Sequence, residues 1–111
     1  MIVRSMLPSK QFTRIDKRVF VNEKLTDGAK VLYGYLAGLK SGQNFSDTYL
    51  LKALGISKTV LARRKKELTD AGLILVEQMQ PRVYVLYIGY TSMSAADVKF
   101  AWETAEDEVV D

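Results

Sequence analysis

Leu54-Gly55-Ile56-Ser57-Lys58-Thr59-Val60-Leu61-Ala62-Arg63-Arg64-Lys65-Lys66 is the stretch whose reading decides the fold. Gly55 ends a short helical pattern, because glycine enters the left-handed conformation without a Cβ penalty. Ser57 then offers an N-cap for the next helix. Two helices separated only by Gly55-Ile56-Ser57 match the spacing of a helix-turn-helix, in which glycine makes the corner and the apolar residue pins it to the core.

The downstream helix is expected from about Lys58 to Ala71, closed by Gly72. Projected at about 100° per residue, Leu61 and Leu68 fall on one face, with Ser57 and Ala71 near it. Thr59, Ala62, Arg63 and Lys66 cluster on the opposite face. One face packs and the other is free to touch a ligand. The upstream helix starts at Ser46 and spans roughly two turns through Tyr49, Leu50, Leu51 and Leu54.

Before it, Thr26 can cap a helix from about Asp27 to Lys40, with Ala29, Leu32, Tyr33, Leu36 and Leu39 at three- and four-residue spacing. Phe12-Thr13-Arg14-Ile15 and Val19-Phe20-Val21 suggest one or two short opening strands. After Gly72, Leu73 to Val76 and Arg82 to Ile88 read as the strands of a β-hairpin, with Gln78 to Pro81 as its tip. A last helix is expected behind a Ser94 cap, frayed at its end. The resulting organisation is a body over residues 1–90 and an acidic, helical tail over 91–111.

Composition bounds the chemistry. The 111 residues contain neither cysteine nor histidine, which excludes disulfides, thiolate or imidazole metal sites, and the usual Ser-His and Cys-His nucleophile arrangements. No Gly-rich phosphate loop or telling carboxylate pair appears, so no catalytic residue, metal or cofactor is expected, and no small-molecule substrate. With neither a secretory leader pattern nor a run of 18 apolar residues, the expected location is the cytoplasm, with no membrane partner.

Charge is unevenly spread. Through Tyr90 there are 15 Lys/Arg against 7 Asp/Glu, a balance of +8, while Thr91 to Asp111 holds 1 against 6, a balance of −5. A clustered positive field attracts a phosphate backbone, so double-stranded DNA is the expected partner.

The order helix, helix, turn, helix, hairpin makes a specific resemblance visible. From Phe12 to Val76 the chain resembles the winged-helix domain of plasmid and phage replication initiators and related regulators. The resemblance is carried by Phe20, Leu25-Thr26-Asp27-Gly28-Ala29-Lys30, Phe45-Ser46, Leu54-Gly55-Ile56-Ser57-Lys58-Thr59, Glu67-Leu68 and Ala71-Gly72-Leu73-Ile74. It implies an α+β winged helix-turn-helix fold: a three-helix core with a C-terminal β-hairpin wing, followed here by the acidic helical tail. It also implies sequence-specific DNA binding without catalysis, serving replication, conjugative transfer or transcription on a mobile element.

A recognition helix in the major groove brings its N-terminal half to base edges, which makes Lys58, Thr59, Ala62 and Arg63 the reading positions and lets Lys66 reach phosphate. Ser57 and the N–H groups at the helix start suit a phosphate oxygen. Arg82 at the hairpin tip suits the minor groove or the adjacent backbone. Arg64 and Lys65 depart from the family pattern, standing where residues facing the core are usually small or apolar. Their stems can cover apolar surface while their charges reach water, and the wing becomes a rival reader.

The tail admits three readings: a solubilising end, a helix docking Phe100 and Trp102 on its own or a second subunit, or an internal DNA mimic screening the basic face. Docking is favoured and is compatible with a homodimer. The alternative to DNA binding is a protein-protein adaptor that uses the hairpin and tail as its contact surface.

Overall fold

A computed structural model of the chain describes residues 1–6, 15–39, 41–90 and 93–110, with side chains through 105. The element order is β1 (Ile2–Ser5), α1 (Lys17–Phe20), α2 (Asp27–Ala37), α3 (Asp47–Leu54), α4 (Lys58–Asp70), β2 (Ile74–Gln80), β3 (Val83–Ile88) and α5 (Ala95–Val110). No helix among the described residues is long and apolar enough to cross a membrane.

Three helices begin in the same way. The side chains of Thr26, Ser46 and Ser57 accept the N–H of Ala29, Tyr49 and Val60, satisfying a donor that the first turn leaves without a backbone partner. At the end of α3, Gly55 takes φ 64°, and the N–H groups of Gly55 and Ile56 both reach the carbonyl of Leu51. That left-handed corner re-aims the chain into α4. Ile56 packs against the edge of the core.

The α+β class stands, but a three-helix core with a C-terminal hairpin wing does not. Among the described residues there are five helices and a three-stranded sheet, and a strand, β1, comes ahead of all five helices. The sheet order is β1-β3-β2: β2 and β3 are antiparallel, and β1 lies parallel to β3 with Val3 beside Leu86. The hairpin therefore supplies two strands of the sheet, one of them central, and is not a free appendage. Ile2 and Val3 finish the strand side that β3 would otherwise leave open.

Both faces of this sheet are covered. On one, Val3, Ile74, Leu86 and Ile88 join Val19, Leu25, Ala29, Leu32, Tyr33, Leu36, Leu50, Leu61 and Leu68 in a single core. Leu32, Leu36, Leu50 and Leu68 are almost wholly inaccessible, and burial of each contributes about 1.5–3 kcal/mol. On the other face, Val85 and Tyr87 pack with Ala95 and Val98 of α5, flanked by Leu75, Met93 and Trp102. Consecutive residues of β3 thus alternate between two cores.

The opening strands expected around Phe12 to Val21 are corrected in their described part. Residues 17–20 form α1, because the Asp16 carboxylate accepts the N–H of Arg18 and its carbonyl accepts that of Val19. Phe12, Thr13 and Arg14 lie outside the described residues. The first long helix ends at Ala37 with Gly38 as its cap, three residues short of the expected Lys40.

The tail helix is seated on the sheet. Ser94 and Asp97 bond reciprocally, each side chain accepting the other's N–H, which fixes the start of α5. Trp102 stacks on the Arg4 guanidinium, 5.3 Å from its ring centre, and Arg4 also donates to the Tyr87 hydroxyl at 3.2 Å. Phe100 behaves otherwise: it is 71% exposed. Since α5 and the α2–α4 layer lie on opposite faces of the sheet, α5 does not screen α4 within one chain.

Candidate nucleic-acid interface

α4 is held from behind at three points. The Glu67 carboxylate accepts the N–H of Thr26 at 3.0 Å and its hydroxyl at 2.8 Å, fastening α4 to the start of α2. These two donors pull the Glu67 carboxyl below the ordinary carboxylate range, helped by Arg63 and Arg64. The Arg64 guanidinium lies across Gly28, where a methyl group would fall 2.7 Å from its Nη2. The Lys65 ammonium is 2.6 Å from Asp47 Oδ1 at the start of α3. Two of the four consecutive cations are thus turned toward neighbouring helices.

The other two face water. Lys58, Thr59, Ala62, Arg63 and Lys66 are exposed, while Leu61 and Leu68 are buried beneath them. Thr59, Arg63 and Lys66 follow one another at three- and four-residue steps, so they form one row along the helix. Lys66 touches Asp70 at 3.5 Å, a loose, fully wet pair that contributes little. Lys58 and Arg63 make no ion pair among the described residues.

Ser57 is exposed, and its hydroxyl oxygen is already used on the N–H of Val60. What the start of α4 offers a ligand is therefore the first-turn N–H groups of Lys58 and Thr59 together with the positive end of the helix dipole. Lys52 on α3 is also exposed.

Lys58 and Ala62, with Leu61 and Lys65, form the α4 side of a cleft of about 370 Å³ whose other wall is Asp47, Thr48 and Leu51 of α3. A second groove of about 370 Å³ connects this region to the hairpin, with Lys65 and Asp47 on one side and Val76 and Tyr84 on the other. The fold thus brings α4 and the upper hairpin to one surface.

The hairpin tip is Pro81-Arg82, set between Gln80 and Val83, with a bulge at Met79. Arg82 has φ 67°, the only described residue other than glycine in that region. Pro first and a positive φ second is the pattern of a type II turn, whose second position ordinarily holds Gly or Asn. An arginine there costs about 1 kcal/mol in backbone energy, and it projects a charge at the extremity of the sheet.

Lys58, Thr59, Ala62, Arg63 and Lys66 therefore share α4 with Ser57 as its cap, and Arg82 stands apart on the hairpin. Sequence reading missed the clamps on α4: Glu67 with Thr26, and Gly28 beneath Arg64. A glycine in the first turn of an otherwise good helix was the available signal. No protein-family model, curated protein or solved structure matches this chain.

Proposed function

We propose that this chain is a non-catalytic, sequence-specific double-stranded DNA-binding protein that lays the exposed face of α4 in the major groove. The observation that carries the reading is the sorting of the basic run. Lys65 is paired with Asp47 of α3 and Arg64 is half-buried across Gly28 of α2, while Lys58 and Arg63 stand exposed, with no ion pair among the described residues, on a helix fixed from behind. Arg63 suits a bidentate contact to guanine, Lys58 suits a base edge, Thr59 and Ala62 suit a thymine methyl, and Lys66 suits phosphate. The first-turn N–H groups after Ser57 suit a phosphate oxygen. Arg82 reaches the flanking backbone or minor groove. A setting on a mobile genetic element rests on the motif resemblance alone.

Selection of bound duplexes from a random pool tests this. A defined consensus is expected, with affinity falling steeply as salt rises. Equal affinity for every duplex removes the sequence-reading claim, and no binding at low salt removes the DNA claim altogether.

A second reading, an adaptor that docks another protein through the hairpin and α5, is favoured by the exposed Val76, Met79, Val83, Tyr84 and Phe100. It predicts that Arg63→Ala leaves partner binding intact while Phe100→Ala and Tyr84→Ala abolish it.

A further inference from the structure

The two edges of the sheet are treated differently. The outer edge of β1 is closed: Val3 N–H donates to the Gln43 carbonyl at 2.9 Å, its carbonyl accepts Gly42 N–H at 2.7 Å, and Phe45 N–H donates to the Met1 carbonyl at 2.7 Å. β2 forms the other edge. Gly89 N–H donates to the Leu73 carbonyl at 2.8 Å, and Ile74 lies opposite Ile88. In an antiparallel ladder this makes 73, 75 and 77 the residues bonded to β3, so Ile74, Val76 and Gln78 direct their N–H and C=O groups outward. Among the described residues no backbone group meets them there.

Natural sheets blunt such an edge with lysine, proline or inward-pointing charge. β2 reads Ile-Leu-Val-Glu-Gln-Met-Gln, with Glu77 as its one charge, and Lys99 of α5 neutralises that carboxylate. Val76 is 39% and Met79 45% exposed beside the open edge. The bulge lies beyond Gln78, leaving the three outward residues regular.

We propose that the free edge of β2 is a self-association surface, pairing antiparallel with β2 of a second copy about a two-fold axis at Val76. Charge and the bulge select that register. Centred on Val76, it sets Ile74 against Gln78 of the second copy and Leu75 against Glu77, with about six backbone hydrogen bonds. Centred on Glu77, it would oppose two carboxylates; centred on Gln78, it would run into the bulge; centred on Leu75, it would pair only Ile74 with Val76 and keep about four of the bonds. The product is a continuous six-stranded sheet with both α2–α4 layers on the same side. Because the strands are antiparallel, the two Arg82 tips point to opposite ends.

The test uses the whole chain without DNA, so its outcome is independent of the DNA reading. Sedimentation over micromolar to hundred-micromolar concentrations is expected to show twice the 12.5 kDa chain mass. Val76→Lys, at an exposed position, is expected to weaken association at least 100-fold with an unchanged circular dichroism spectrum. In a chain with no cysteine, Val76→Cys is expected to form a covalent dimer under mild oxidation, since a bonded pair on the axis stands about 5.5 Å apart. Gln78→Cys is expected not to, because it faces Ile74. A wild-type chain at 12.5 kDa throughout, a Val76→Lys protein that still dimerises, or cross-linking through Gln78→Cys in place of Val76→Cys would each overturn the proposal. Should Val76→Lys fail to fold, the cysteine pair decides alone.

Discussion

Thr26 Oγ1 and Glu67 Oε2 stand 2.8 Å apart, joining the first residue before α2 to the last third of α4. The same threonine hydroxyl accepts the N–H of Ala29, so one side chain caps its own helix and anchors α4. The orientation of the candidate reading helix is thereby tied to the start of α2.

Glu67→Gln is expected to lower the melting temperature and loosen α4. The Glu67 carboxyl lies below its ordinary range in the folded chain. Its contribution is therefore present above the unfolded carboxyl value, near pH 4.3, and is lost as pH falls through the lower folded value. Chemical denaturation between pH 2.5 and 7 should show a shallower acid decline in the variant. Parallel acid limbs in the two proteins would contradict the strap.

Arg82→Gly is expected to move stability and DNA affinity in opposite directions. Glycine accepts φ 67° freely, so the fold should gain about 1 kcal/mol. Loss of the tip charge should weaken DNA binding. Thermal unfolding and a binding titration on the same preparation check both signs, and unchanged affinity would remove Arg82 from the interface.

Arg63→Ala and Lys65→Ala, two residues apart on α4, should fail in different ways. Arg63 is exposed, so its loss should leave stability unchanged and relax base preference at one position by about 1–3 kcal/mol. Lys65 has a half-buried stem and an ion pair to Asp47. Its loss should lower stability and leave base preference as it was. Lys66→Ala should weaken all sequences alike and reduce the salt slope by about one.

Tyr33→Phe should cost about 1–2 kcal/mol at neutral pH. The Tyr33 hydroxyl donates to the Gly89 carbonyl at 2.7 Å within the core, tying α2 to the end of β3. Burial pushes Tyr33 up to about 12, with smaller contributions from Asp16 and Tyr90. A folded value above the unfolded one, near 10, means that this stability is whole below pH about 10 and is lost as pH rises toward 12. Urea unfolding from pH 7 to 11.5 should therefore show a gentler alkaline decline in the variant.

Local chemistry was readable from the chain. The caps at Thr26, Ser46 and Ser57, the corner at Gly55 and the solvent side of α4 each depend on residues within a turn of one another. The unread parts depend on distant pairing. β1 is four residues without a flanking turn signal, and only the register with Val85 to Ile88 makes it a strand. α1 is a single turn held by Asp16, too short to show a period. The family pattern sets Arg64 and Lys65 at positions facing the core, but the residues they meet, Gly28 and Asp47, lie 36 and 18 positions away in the chain.

β3 carries a hazard along with its packing. Val85, Leu86, Tyr87 and Ile88 are all buried, and the strand Val-Tyr-Val-Leu-Tyr-Ile holds no charge, glycine or proline. Six residues of that composition are an amyloid-forming pattern whenever they are laid bare. Here β1, β2 and α5 together keep the segment out of reach. A lesion that detaches α5 would bare Val85 and Tyr87 on one face while β1 and β2 still pair both edges of the strand, so only the further loss of a neighbouring strand would open it to aggregation, with Pro81-Arg82 flanking it as gatekeepers.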